Sequence, residues 1–180
     1  MKLLSIAVPC YNSAAYMDRC IRALLHGGEE VEILIVDDGS PKDNTGEIAD
    51  RYEREYPTIC RAIHQVNGGH GAAVMTGLRN ASGVFFKVVD SDDWVDPESY
   101  DKILDTLRDF TAKNTQLDLL ISNFVYEKEG AAHKRVMNYR KVLPTERLIG
   151  WDEIGHFLPG QYILMHSVIY RTALLKSCGL

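Results

Sequence analysis

Short β-branched runs alternate with amphipathic stretches of helical length over the first two thirds of the 180-residue chain. The apolar runs predict five strands, and apolar positions repeating at intervals of three and four predict the helices between them. The run VEILIV is apolar at nearly every position, which is typical of a strand covered on both faces. The predicted strands span residues 3–8, 31–36, 60–66, 84–89 and 117–122, and the predicted helices span residues 14–25, 43–56, 71–81 and 97–110.

This alternation predicts an α/β fold built from right-handed βαβ units. We expect a single domain with a mostly parallel twisted sheet, helices on both faces and a Rossmann-like half over residues 1–122. The regular alternation of predicted strands and helices ends after Asn123, so we expect residues 123–180 to form a separate portion of the same domain. Its predicted elements are a hairpin or mobile loop at 126–139, a short helix at 151–157, a strand at 163–170 and a last helix at 171–178.

Composition and charge exclude several classes of partner. Hydrophobic residues make up 46% and charged residues 25% of the chain, which is typical of a soluble globular domain. The net charge of -5 gives no basic field, so we expect no nucleic-acid partner. No run of eighteen apolar residues occurs, so we expect no direct membrane insertion. The four cysteines form no CxxC pair, which favours reduced thiols and a cytoplasmic location.

Unusual residues follow each of the first four predicted strands. In an open parallel sheet, ligands bind beyond the carboxyl ends of the strands. The loops at the opposite ends of these strands look like plain connectors. The candidate site therefore combines four segments, which are Pro9-Cys10-Tyr11-Asn12, Asp37-Asp38-Gly39-Ser40, Asn67-Gly68-Gly69-His70-Gly71 and Asp90-Ser91-Asp92-Asp93.

The segment Asp90-Ser91-Asp92-Asp93 points to a metal ion. Three carboxylates in four residues repel one another unless a cation neutralises them. Ligands that offer only oxygen suit Mg²⁺ or Mn²⁺, which usually share their coordination shell with phosphates. Other carboxylates have a structural alternative: Asp37 or Asp38 alone fits a helix cap, and the first turn of a helix accounts for Asp96, Glu98 and Asp101.

The glycine-rich segment and the tyrosine each have two interpretations. Gly68-Gly69-His70-Gly71 opens a predicted helix, where bare backbone N–H groups can cradle a phosphate, but such a segment is also a common simple turn. His70 is either a phosphate contact or a solvated loop residue. Tyr11 either stacks on a base or packs against the protein.

Four stretches together resemble the family 2 glycosyltransferases, whose nucleotide-binding domain has the GT-A fold. The stretches are SIAVPCYN, EILIVDDGSPKDNT, NGGHGAAVMTGLRNASG and FFKVVDSDDWVDPES, and they occur in the order of the family over roughly residues 3–100. The glycine segment is closer to the branch with a GGxGAA-type turn. Val74-Met75 stands where the other branch has an arginine.

The resemblance implies a UDP-sugar donor and a Mn²⁺ or Mg²⁺ cofactor. Residues 1–122 would then be the nucleotide-sugar-binding half and residues 123–180 the acceptor-side portion. Asp38 would accept a hydrogen bond from a uracil ring nitrogen, and Asp92 would bind the metal, with Asp93 as an alternative ligand or a sugar contact. Asp90 would contact the ribose or a metal-bound water. The other implied nucleotide-binding residues are Pro9, Tyr11, Asn12, Gly68, Gly69 and His70.

The family also implies an inverting transfer to a glycan or lipid-linked acceptor. A lipid-linked acceptor would place the full-length protein at the inner face of the membrane. The base normally belongs to a later acidic motif, and we find no match before Leu180. We therefore expect the acceptor-side portion to be truncated and the catalytic base to lie beyond Leu180. Asp152 and Glu153 fit helix capping, and His166 fits the core or a position that supports the site.

Three alternatives stay open. A phospho-receiver domain also has an acidic pair after a strand, but here a complete βα unit comes first and no Lys-Pro follows a late strand. A nucleotidyltransferase would bind a nucleotide through a metal and carboxylates, but it needs a glycine-rich basic loop where this chain has PCYNSAAYMDR. A sugar-nucleotide binder that has lost catalysis would equally lack the base.

Overall fold

The computed structural model describes residues 1–127 and 134–179. The strands in these ranges are β1 (Leu4–Cys10), β2 (Val31–Asp37), β3 (Cys60–His64), β4 (Phe85–Val88), β5 (Leu119–Ile121), β6 (Phe124–Tyr126), β7 (Arg135–Met137) and β8 (Val168–Arg171). The α-helices are α1 (Met17–Leu25), α2 (Thr45–Glu55), α3 (His70–Asn80), α4 (Pro97–Ala112) and α5 (Thr172–Ser177). One-turn 3-10 helices lie at Gly28–Glu30, Trp151–Glu153 and Met165–Ser167.

The main sheet has the strand order β3-β2-β1-β4-β8-β5. β1 pairs in parallel with β2 and β4, and β2 pairs in parallel with β3. β8 lies antiparallel between β4 and β5. The predicted α/β fold with a mostly parallel sheet is therefore confirmed, with one antiparallel strand inserted from the last part of the chain.

The helices cover both faces of the sheet. On one face, α1, α2 and α4 pack on the side chains of β1 and β2, and this core includes Ile6, Ile33 and Leu107. On the other face, α3 and α5 pack on a smaller cluster around Leu34 and Phe86. Because β1 and β2 are buried on both faces, their sequences are almost continuously apolar.

Close packing on the second face requires a glycine in α3. A Cβ atom at Gly77 would collide with the side chain of Ala7 in β1. The bare backbone at this position lets α3 approach the middle of the sheet. This approach holds the start of α3 beside the carboxyl ends of the parallel strands.

The portion after β5 differs in detail from the sequence prediction. The predicted strand at 163–170 begins only at Val168, because residues Met165–Ser167 form a 3-10 turn. The predicted helix at 151–157 is a single turn at Trp151–Glu153. β6 and β7 pair antiparallel, which confirms a hairpin, and residues 128–133 between them lie outside the described residues. A third hydrophobic cluster joins this hairpin to residues 139–163.

Among the described residues, no helix is both long enough and apolar enough to cross a membrane.

Candidate functional site

A cleft of about 410 Å³ opens at the carboxyl edge of the parallel strands. Seven residues predicted from the sequence line it, namely Pro9, Tyr11, Asp38, Gly69, His70, Asp90 and Asp92. Five further residues line it: Cys10, Asn67 and Ser91 belong to the predicted segments but were given no individual role, and Ser13 and Ala73 lie outside those segments and were missed. These five are ordinary loop or helix residues whose types gave no chemical signal. The cleft therefore unites all four segments that follow the first four strands.

The loop after β1 is fastened to the loop after β2 through Asn12. The backbone of Asn12 is left-handed, with φ of 51°, a conformation that asparagine tolerates better than most residues. Its N–H donates to Oγ of Ser40 at 3.0 Å, and its Oδ1 accepts from the N–H of Lys42 at 3.1 Å. Neighbouring Tyr11 is half exposed on the cleft. Asn12 thus holds the loop that carries Tyr11.

Asp38 anchors the glycine turn. Its buried carboxylate accepts hydrogen bonds from the N–H groups of Gly68 and Gly69, each at 2.8 Å, and from Nε2 of Gln65 at 2.6 Å. Burial alone raises the pKa of a carboxyl group, but these three donors outweigh it and hold the pKa of Asp38 below its usual value. Gly69 has φ of 84°, which favours glycine, and α3 starts at the next residue.

We predict that Asp38→Ala lowers the free energy of unfolding at pH 7 by about 2 kcal/mol, because it leaves buried donors of the glycine turn unpaired. Since the folded-state pKa is lowered, this stabilisation is present above the ordinary value of 3.8 and is lost as the pH falls through the folded-state pKa. Urea unfolding at pH 7 and at pH 3 measures both effects. The exposed Asp105→Ala is the matched control, and an equal loss for both variants would contradict the anchoring role.

His70 and Asp90 form a bridge across the cleft. Nε2 of His70, the first residue of α3, lies 2.8 Å from Oδ1 of Asp90, which follows β4. Asp90 also accepts, through its backbone carbonyl, a hydrogen bond from the N–H of Asp93. This turn brings the carboxylates of Asp90 and Asp93 to the same side of the loop.

Asp90, Asp93 and His166 converge as a set of potential metal ligands. One ligand atom from each lies within 4.8 Å of the others. Nδ1 of His166 is 3.1 Å from Oδ2 of Asp93, and within the described ranges this buried nitrogen has no hydrogen bond of good geometry. An imidazole nitrogen beside two carboxylates is a ligand set that fits a divalent cation. Asp92 lies outside this set but is exposed on the cleft.

Lys87 supports the position of His166, and the sequence interpretation did not use it. Its Nζ atom donates to the backbone carbonyl of His166 at 2.7 Å. Lys87 is buried in β4, and this burial lowers its pKa to about 8. A lone lysine inside the apolar run VFFKVV was the available signal, because a buried lysine needs a polar partner.

The thiol of Cys10 lines the cleft but is not a nucleophile. Burial, together with the charges of Asp37 and Asp43, raises the pKa of Cys10 to about 12. The thiolate is the reactive form of cysteine, so Cys10 stays protonated and unreactive near neutral pH.

Glu153 is already engaged by other groups. Its Oε2 atom lies 2.5 Å from a guanidinium nitrogen of Arg147, and Oε1 accepts from the N–H of Gly150 at 3.3 Å. Arg147 lowers the pKa of Glu153, which makes this carboxylate a weaker base. Asp152 is exposed on the same 3-10 turn.

Sequence comparison identifies relatives over most of the chain. Residues 5–171 match Glycosyl transferase family 2. The chain is 37% identical over 123 residues to the uncharacterized glycosyltransferase EpsJ of Bacillus subtilis, covering 68% of this chain and 34% of EpsJ. It is 34% identical over 208 residues to glycosyltransferase GlyG of Streptococcus pneumoniae, covering 98% of this chain and 66% of GlyG. The chain therefore spans about a third to two thirds of the length of these relatives.

Solved structures show the same architecture. The S. aureus TarS 1-349 structure in complex with UDP is 27% identical, with a TM-score of 0.70 over 99% of this chain and 49% of that one. The complex of TarS 1-349 with UDP-GlcNAc gives a TM-score of 0.69 at the same identity, over 99% of this chain and 48% of that one. The family match favours a glycosyltransferase over a phospho-receiver domain or a nucleotidyltransferase. The chain belongs to glycosyl transferase family 2 and has the GT-A fold.

Proposed function

We propose that this chain is the donor-binding part of a glycosyltransferase that moves a sugar from a UDP-sugar to a glycan or lipid-linked acceptor. The observation that carries the proposal is the cleft in which the Tyr11 loop, the glycine turn held by Asp38 and the carboxylates of Asp90 and Asp92 meet. The reported complexes of TarS with UDP and with UDP-GlcNAc support the same class of donor. The four free cysteines are typical of a reducing compartment and support a cytoplasmic location.

The nucleotide is proposed to enter the cleft with its base against Pro9 and Tyr11. The exposed ring of Tyr11 offers a stacking surface, and Asn12 keeps this loop in place. Asp38 lines the cleft, where it accepts hydrogen bonds from the glycine turn and is proposed to accept another from the uracil ring nitrogen. The N-terminus of α3 is then proposed to direct the backbone N–H of His70 toward the phosphates, while the N–H of Gly69 stays bound to Asp38.

A divalent ion, Mn²⁺ or Mg²⁺, is proposed to be held by Asp90, Asp93 and His166, with Asp92 at the cleft completing the acidic ligands. When bound, such an ion stabilises the negative charge that develops on the departing diphosphate. Asp90 also contacts Nε2 of His70. A single carboxylate therefore links the residue proposed to lie at the phosphates with the proposed metal ligands. Lys87 fixes the backbone of His166 and thereby keeps its ring beside Asp93.

The transfer itself is proposed to invert the anomeric centre. An acceptor hydroxyl attacks the anomeric carbon on the face opposite the diphosphate and loses its proton to a carboxylate. We propose that this base lies outside residues 1–180, because this chain covers about half of the TarS fragment and Glu153 is paired with Arg147. Residues 1–122 would bind the donor, and residues 123–180 would begin the acceptor side.

The proposed uracil pocket predicts a preference among nucleotides. In the presence of Mn²⁺, we expect UDP to bind roughly tenfold or more tightly than ADP or GDP, because the polar groups that recognise uracil are left unpaired by a purine. Isothermal titration calorimetry with the three diphosphates measures the difference directly, and the shared diphosphate makes ADP and GDP matched controls. Equal affinities, or a preference for a purine, would overturn the assignment of the base.

A further inference from the structure

His64, at the end of β3, is held between two carboxylates. Its Nδ1 atom lies 3.2 Å from Oδ2 of Asp37, and its Nε2 atom lies 3.0 Å from Oδ1 of Asp50. Ionised carboxylates only accept hydrogen bonds, and a neutral imidazole has a single N–H group. Only the imidazolium form can therefore satisfy both contacts at once.

The surroundings of His64 favour this charged form. β3 is an edge strand of the sheet, and β2 and α2 are the elements packed against it. In the part of the chain that the structure describes, these elements bring the charges of Asp37 and Asp50 against the imidazole. Hydrogen bonds to Asp50 and Asp37 raise the pKa of His64 above its ordinary value of 6.5, against the smaller opposing effect of partial burial.

A continuous chain of hydrogen bonds leads from Asp37 to the cleft. Oδ1 of Asp37 accepts from the N–H of Ser40 at 3.1 Å and from its hydroxyl at 2.6 Å. Because the hydroxyl proton of Ser40 points to Asp37, its oxygen is free to accept from the N–H of Asn12 at 3.0 Å. Asn12 lies in the loop between β1 and α1, so this bond and the one to Lys42 help to fix the loop that carries Tyr11.

We propose that His64 is a positioning residue for the base pocket, because its imidazolium fixes Asp37 and, through Ser40 and Asn12, the loop of Tyr11. The inference rests on the proposed nucleotide-binding function of this loop. Below pH 6.5 the charged ring holds both carboxylates. As the pH rises through the raised pKa of His64, the ring keeps a single N–H, which we assign to the shorter contact with Asp50, so the contact with Asp37 is lost, the loop loosens and nucleotide affinity falls.

The first test needs no ligand. NMR titration of the wild-type chain follows the ring protons of His64 together with the backbone amides of Ser40 and Asn12. We expect all three to change with the same midpoint, above pH 6.5. In Asp50→Asn, which removes a charge on the outer side of the ring, we expect the three midpoints to move together to lower pH. Amides that do not follow the ring in either protein would overturn the inference.

The second test separates the two contacts of the ring. The amide of His64→Asn can replace the Nδ1 donor to Asp37, whereas the longer side chain of His64→Gln can replace the Nε2 donor to Asp50. UDP affinity is measured with Mn²⁺ from pH 6 to pH 8. Each variant is compared with the wild type at the same pH, so that changes in the protonation of UDP itself cancel. We expect His64→Asn to keep its affinity at pH 6, and His64→Gln to bind about fivefold more weakly there.

The difference in UDP affinity between wild type and His64→Gln is expected to shrink as the pH rises, because the wild-type ring then loses its own contact with Asp37. Matched melting temperatures of the two variants serve as the folding control. Equal affinity of both variants at every pH would overturn the positioning role. If wild type binds no UDP at any pH, the proposed function fails, and the NMR titration then decides the coupling of His64 to the loop by itself.

Discussion

Alanine in place of Asp92 or Asp93 is expected to weaken manganese-dependent UDP binding roughly tenfold or more. Even the outer partners of metal ligands typically contribute a factor of about 10–100 to metal affinity, so loss of a ligand is expected to cost at least as much. The remaining carboxylates would also repel the diphosphate. Isothermal titration calorimetry of UDP with and without Mn²⁺ separates this effect from metal-independent binding of the base.

Asp96→Ala is the matched control for these variants. Oδ2 of Asp96 accepts from the N–H of Ser99 at 2.9 Å, so this nearby carboxylate caps α4. The change should lower the melting temperature while leaving UDP affinity intact. Equal effects of Asp92→Ala and Asp96→Ala would mean that the metal site is wrongly placed.

His166→Ala tests which carboxylates hold the ion. If the ion sits in the convergent set, loss of the imidazole should weaken manganese-dependent binding about as much as Asp93→Ala does. A strong effect of Asp92→Ala together with no effect of His166→Ala would place the ion toward the open cleft instead.

The 180-residue chain is expected to bind a UDP-sugar with Mn²⁺ but to transfer the sugar very slowly. Donor binding uses the residues of the cleft and the proposed metal ligands, including His166, all of which lie within this chain. Transfer additionally needs a general base beside the anomeric carbon, and such a base typically contributes a factor of about 10²–10⁴. Extending the chain to the length of the TarS fragment should therefore restore transfer without much change in donor affinity.

The measurement compares UDP release by the two chains in the presence of an acceptor extract, with calorimetry of donor binding as the control. Fast turnover by the 180-residue chain would mean that the base lies within it. The candidate bases to replace one at a time would then be Asp152, Glu153 and His166. Glu153 is the weakest candidate, because Arg147 lowers its pKa. Donor binding without transfer by either chain would favour the catalytically silent binder.

The sequence by itself determined the parallel half of the fold and the edge at which the cleft lies. Strands buried on both faces need continuous apolar runs, and the loops at their carboxyl ends are then free to carry polar groups. Asp38, Gly69 and Asp90 could be assigned to one cleft because this reasoning depends only on local pattern and strand direction. Asp96 was expected in the first turn of a helix, and the structure places it one position earlier, as the N-cap of α4, so its structural role could be predicted from local sequence alone.

Only the tertiary structure decided how the last part of the chain completes the site. β8 pairs with β4 across more than eighty positions of sequence, and no local periodicity encodes such a partner. This pairing brings His166 beside Asp93, although its sequence context suggested the core or a supporting position. The contact of Asp37 with His64 and that of Asp38 with the glycine turn are also decided only by the tertiary structure. The hydrogen-bond partners of a side chain depend on how separate strands and loops pack together.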